Sequence, residues 1–162
     1  MSRYQDLVRE LVIRHKDHHF IGIRKFLSQS LSLGIKLLDL PQDCQIISIP
    51  TAQKEIRKRF DDPVRYMVSD AACMVKNNYN KNILKLNRSK RDQVGLNHNE
   101  RELNMTGVFR VNQIAKQVIV CDDVVTSGAT LRAATRTLNE AGIEVFANIC
   151  VANTPKTLQY LK

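Results

Sequence analysis

The chain has 162 residues, 43% of them hydrophobic, and a formal net charge of +9. That length buries one sizeable core and predicts a single domain, 1–162. No apolar run is long enough to cross a bilayer, and the N-terminus MSRYQDLVRELVIRHK is charged and periodic, unlike a signal peptide. The expectation is a cytoplasmic protein with no membrane insertion. The positive balance favours phosphate, pyrophosphate or nucleic acid as partners without choosing among them.

Apolar spacing predicts a first helix from about Arg3 to Lys16, with Leu7, Val8 and Leu11 on one face. A second helix carries Ile23, Phe26, Leu27, Leu31, Ile35 and Leu38 and stops before Pro41. Together they form a helical N-terminal segment, 1–40. His15, His18 and His19 with Asp17 lie near the end of the first helix. Histidines three or four apart share a helix face, but no further Cys or His cluster completes a metal site, so they are read as surface residues.

Gln45 to Pro50 is a short apolar strand. The segment after it is rich in cations: Lys54, Arg57, Lys58 and Arg59. Clustered cations beyond a strand end suit a pyrophosphate, the alternative being a solvated basic helix face. Asp62-Pro63 then opens a helix, the acid as N-cap and the proline at N1. Its inward positions are Val64, Met67, Val68, Ala71, Ala72 and Val75.

Ile83 to Leu86 suggests another strand, and 87–107 is a long polar excursion. Loops of that length in a small domain tend to be functional, so it is read as a flexible lid carrying Arg88, Gln93, Arg101 and Asn104. Val118 to Cys121 is a strand. The next helix turns Leu131, Ala134, Leu138 and Ala141 inward and ends at Gly142. A strand from Ile143 to Val151 and a short helix after Thr154-Pro155 close the chain. Alternating strands and helices indicate an α/β domain with a mainly parallel twisted sheet flanked by helices. Cys44, Cys73, Cys121 and Cys150 are widely spaced in apolar contexts and are read as buried reduced thiols.

The most informative stretch runs from Val118 to Thr130. An apolar strand meets Asp122 and Asp123, and Thr126, Ser127, Gly128, Ala129 and Thr130 lead into a helix. Backbone N–H groups at a helix N-terminus attract an anion, and glycine lets the backbone approach it closely. The hydroxyls add donors, while two carboxylates suit the diol of a sugar. The pattern is that of a sugar-phosphate site. No lysine follows the glycine as in a Walker loop, and the G-x-G-x-x-G spacing is absent.

This stretch resembles the phosphoribosyl-pyrophosphate (PRPP) fingerprint of the type I phosphoribosyltransferases. The chain as a whole, from about Leu7 to Pro155, is similar to the competence protein F (ComF) family within that group. That similarity adds Ile46 to Pro50, Arg57 to Arg59, Asp62-Pro63, and the ordered series Arg88, Asp92-Gln93, Glu100-Arg101, Asn104 and Phe109. The resemblance implies the type I phosphoribosyltransferase fold, with a 5′-phosphate on Thr126 to Thr130 and ribose hydroxyls on Asp122 and Asp123. It also implies pyrophosphate near Thr51 and Ala52, with Arg57 and Arg59 beside it. Mg²⁺ would bridge ribose and pyrophosphate, held through PRPP and by Asp122 and Asp123 rather than in a protein cage.

The implied reaction is transfer of phosphoribosyl from PRPP to an unidentified acceptor. Its alternative is a non-catalytic or regulatory PRPP site in a protein that assists DNA uptake and handles single-stranded DNA with the competence machinery. The oligomeric state stays open, a homodimer included. Two positions depart from the pattern. Phe60 stands where a glycine is expected. Thr126 stands where 6-oxopurine enzymes place a base-activating Asp, which argues against purine salvage of that type.

Overall fold

The computed structural model of the chain describes residues 2–3, 7–18, 21–87 and 107–153. Strand β1 (Ser2–Arg3) precedes helices α1 (Leu7–His18) and α2 (Ile21–Lys36). Strand β2 (Cys44–Ser48) and helices α3 (Gln53–Arg59) and α4 (Pro63–Met74) follow. The second half holds β3 (Leu84–Leu86), β4 (Phe109–Val111), β5 (Gln117–Val125), α5 (Ala129–Glu140) and β6 (Glu144–Asn153).

Four strands form one parallel sheet in the order β1-β6-β5-β2. β5 is its centre, because Gln117 to Cys121 are buried without interruption, as a parallel strand covered on both faces requires. Alternate residues feed two cores. Val118 and Val120 join Leu131, Ala134 and Leu138 of α5 on one face. Ile119 and Cys121 join Leu27, Leu31 and Ile35 of α2 and Met67, Val68 and Ala71 of α4 on the other. Fully burying a side chain such as Met67 or Leu138 stabilises by about 1.5–3 kcal/mol. The edge beyond β2 is extended by a single parallel bridge between Ile46 and Tyr79.

Several expectations are corrected. The first helix begins at Leu7, and Ser2–Arg3 is instead an edge strand whose pairing with Ala152 and Asn153 local periodicity does not reveal. Phe26 is 53% exposed, on the side of α2 away from Leu27 and Leu31. Leu84–Leu86 stands outside the main sheet and forms an antiparallel hairpin with β4, a strand the sequence reading did not contain. Ala141 is the exposed C-cap of α5, one position beyond the inward stripe.

Cys73 is exposed, whereas Cys44, Cys121 and Cys150 are buried free thiols. His15 is buried, and its Nε2 lies 3.1 Å from the carbonyl oxygen of Pro63, so it joins α1 to the start of α4 rather than facing solvent. His19 and the helix expected after Pro155 lie outside the described residues.

Candidate active site

The fingerprint is built on β5, which runs four residues further than its apolar core suggested and ends at Val125. Asp122 and Asp123 therefore lie within the strand and project to opposite faces, as successive strand residues must. Asp122 is partly exposed and Asp123 is 2% exposed. The neighbouring β2 pairs with β5 only as far as Ser48 opposite Cys121, with one further bond from Ile49 N–H to the Cys121 carbonyl at 3.0 Å. Past that point the Asp122 carboxylate accepts the N–H of Asp123 at 2.9 Å, and the Asp123 carboxylate accepts that of Val124 at 2.8 Å. The two acids satisfy backbone donors where a strand neighbour has left, and Asp122 remains the one that reaches solvent.

The loop that follows has the shape an anion needs. Gly128 sits at φ 75°, ψ −2° as the N-cap of α5, a left-handed conformation that glycine adopts without a Cβ penalty. The first intrahelical bond runs from Arg132 N–H to the Gly128 carbonyl at 2.9 Å. The N–H groups of Ala129, Thr130 and Leu131 consequently have no acceptor within the helix. Ser127 Oγ lies 3.4 Å from the Ala129 nitrogen, a long and weak contact. With the positive end of the macrodipole behind them, donors in this arrangement attract anions.

Because β2 and β5 are neighbours, the second expected anion loop opens beside the first. Thr51 and Ala52 follow β2, and Ala52 is the N-cap of α3. Thr51 is held by its side chain: its hydroxyl donates to Asp62 Oδ1 at 2.8 Å, and the same oxygen accepts the Arg65 N–H at 3.3 Å as the N-cap of α4. The sequence marked Asp62 as a cap but carried no sign of its bond to Thr51, eleven residues earlier. Tyr79 was missed in the same way. Its hydroxyl lies 2.9 Å from Ser48 Oγ, and burial pushes its pKa up, opposed by that hydrogen bond.

The cations divide. Arg57 and Lys58 are exposed on α3, a helix with no buried residue, and Arg59 forms an ion pair with Glu55 at 3.4 Å. Arg88, Gln93, Arg101 and Asn104 lie outside the described residues. The ends of the excursion are described, and the Asn87 N–H donates to the Val108 carbonyl at 2.7 Å, so the β3–β4 hairpin returns the chain to its point of departure.

The thiols near the site are unreactive in character. Burial pushes the Cys121 thiol far up, and it pushes that of Cys150 up to about 11. That removes the thiolate on which nucleophilic or redox chemistry would depend.

A family model described as the phosphoribosyl transferase domain matches residues 87–159, the span from the excursion through β6. No curated protein matches the chain significantly. Among solved structures, the adenine phosphoribosyltransferase from Thermoanaerobacter pseudethanolicus is similar at 14% identity and a TM-score of 0.55, covering 85% of this chain and 75% of that one. That from Saccharomyces cerevisiae, complexed with an imino-altritol bisphosphate and adenine, is similar at 11% identity and TM-score 0.54, covering 86% and 73%. Orotate phosphoribosyltransferase from Aeropyrum pernix is similar at 15% identity and TM-score 0.51, covering 98% and 82%. The chain has the type I phosphoribosyltransferase fold.

Proposed function

We propose that the protein binds PRPP and transfers its phosphoribosyl group to an acceptor that the site does not identify. The observation that carries this reading is the parallel pairing of β2 with β5, which puts the loops after both strands at the same end of the sheet, where Asp122 lies near the end of β5. A ligand with a phosphate at one end, a diol in the middle and a diphosphate at the other has that order of chemistry. The match of the phosphoribosyl transferase domain model supports the same reading. The narrower placement in the ComF family rests on the residue series in 88–109 and is proposed on that basis alone.

In this reading the N–H groups of Ala129, Thr130 and Leu131 take the 5′-phosphate, with the hydroxyls of Thr126, Ser127 and Thr130. Asp122 accepts from the ribose hydroxyls, and Asp123 stiffens the strand end beneath it. The loop at Thr51 and Ala52 takes the pyrophosphate. The bond from C1 to the pyrophosphate oxygen breaks as the acceptor forms its own bond to C1, and the acceptor's proton passes to solvent. Positioning and charge complementarity do most of the work. Among the described residues no cluster of three His, Cys, Asp or Glu could hold a metal by itself, but the oxygen of Asp122 suits a hard cation brought in by a diphosphate. Mg²⁺ bound this way would neutralise the leaving pyrophosphate.

Titration calorimetry with PRPP, with and without Mg²⁺, tests the assignment. Binding should be measurable for the wild type and lost in the Asp122→Asn, Asp123→Asn double variant. Absence of binding, or binding untouched by that change, refutes it.

A second reading keeps the PRPP site and adds single-stranded nucleic acid. It is favoured by Phe60, 95% exposed at the end of basic α3, and by Tyr66, whose ring lies 5.8 Å from the Arg24 guanidinium and 5.7 Å from that of Arg65. Oligonucleotide binding should weaken steeply with salt and fall on charge reversal at Arg57, Lys58 and Arg59. Binding that is flat with salt removes this reading.

A further inference from the structure

Arg132 was not among the residues the sequence marked. It closes the first turn of α5, and a long helical side chain at that position leans back toward the N-terminus. Its Nη1 donates to the Ser127 carbonyl at 2.9 Å. A Cβ built on Gly128 would lie 2.8 Å from that same nitrogen and 3.8 Å from Cζ. The guanidinium therefore rests on the bare Cα face of Gly128, within the anion loop, and any larger residue at 128 would displace it.

The electrostatics of this placement are unusual. A cation near the N-terminal end of a helix meets the positive pole of the macrodipole, the opposite of the favourable arrangement. A second cation, Arg136, rises one turn further along the same helix. An anion seated on the loop reverses the sign of the interaction, because it attracts both the pole and the guanidinium. The guanidinium is a planar fork of donors whose geometry suits a phosphate.

We propose that Arg132 is a binding residue of the phosphate subsite, turning a neutral backbone cradle into one selective for a dianionic phosphate monoester. The inference rests on the phosphate-site reading under Proposed function and deepens it by assigning the subsite its charge. Phosphate monoesters become dianionic above a pH of about 6, so the contribution of Arg132 grows as pH rises through that range.

The test is titration calorimetry with ribose 5-phosphate on the wild type, Arg132→Gln and the control Arg136→Gln, at about pH 5 and pH 8. Losing a charge-assisted contact should weaken binding about tenfold in Arg132→Gln at the higher pH. The deficit should be smaller at the lower pH, and Arg136→Gln should change affinity less than about twofold. Melting temperatures should match in all three, since both side chains are exposed. If Arg132→Gln binds as the wild type does, or Arg136→Gln loses as much, the assignment of Arg132 is overturned while the phosphate site stands. If the wild type binds neither ribose 5-phosphate nor PRPP, the phosphate-site reading itself falls.

Discussion

Replacing Asp62 by alanine cuts the joint between the loop at Thr51 and Ala52, proposed to take the pyrophosphate, and the start of α4. One carboxylate oxygen serves both sides, accepting from the Thr51 hydroxyl at 2.8 Å and from the Arg65 N–H at 3.3 Å. Loss of an acidic N-cap costs about 1 kcal/mol, and the long bond to Arg65 puts this one toward the lower end of the range. A hydrogen bond to a charged group contributes about 1.5–3 kcal/mol, and the partial burial of this pair again favours the lower end. The expected destabilisation is about 2 kcal/mol, read as a lower urea midpoint with an unchanged slope.

Asp62→Asn keeps an acceptor in place and should lose less than about 1 kcal/mol. A double-mutant cycle with Thr51→Ala isolates the shared bond, and the coupling should be about 1 kcal/mol. The affinity for PRPP should fall in Asp62→Ala and recover in Asp62→Asn. Strict additivity of Thr51→Ala and Asp62→Ala, or an Asp62→Ala midpoint equal to that of the wild type, would refute the reasoning.

At Gly128, alanine meets both the left-handed φ of 75° and the Arg132 guanidinium. Gly128→Ala should lower stability by about 1–2 kcal/mol and weaken PRPP binding together; normal affinity in calorimetry would contradict the proposed phosphate loop. The thiols give a labelling and a pH test. With Cys73 exposed and the other three buried, one thiol should react with an aromatic disulfide reagent at about pH 8 in the native state, and all four in denaturant. Burial raises the folded-state values of Cys44, Cys121 and Cys150 above 9.0, so the folded state keeps protons that the unfolded chain gives up. Stability is fully present below 9.0 and falls as pH rises, for Cys150 through about 11, by at most about 1.4 kcal/mol per pH unit for each thiol. A flat unfolding free energy across that window would count against the burial.

The local chemistry of this protein was legible in its sequence. The cap at Asp62 and Pro63, the apolar stripe of α4, and the acid–hydroxyl–glycine turn at Asp122 to Thr130 depend on residues close together in the chain. Their meaning survives without knowing what lies across the sheet. What needed tertiary structure was long-range pairing. Register between β2 and β5 brings the end of β2 alongside the strand that carries Asp122, and the Asp62 carboxylate ties Thr51, beyond that end, to α4. β1 and β4 are too short to carry a period of their own and exist only through β6 and β3.

Strand alternation, continuing two residues beyond the apolar run, buried Asp123 and left Asp122 partly exposed, although the sequence offered the two as equals. The fold of Arg132 onto Gly128 likewise follows from a side-chain direction that residue type alone does not specify. The sequence thus determined what kinds of groups the site contains. The tertiary structure decided which of them meet, because strand pairing and burial bring together residues that the chain keeps far apart.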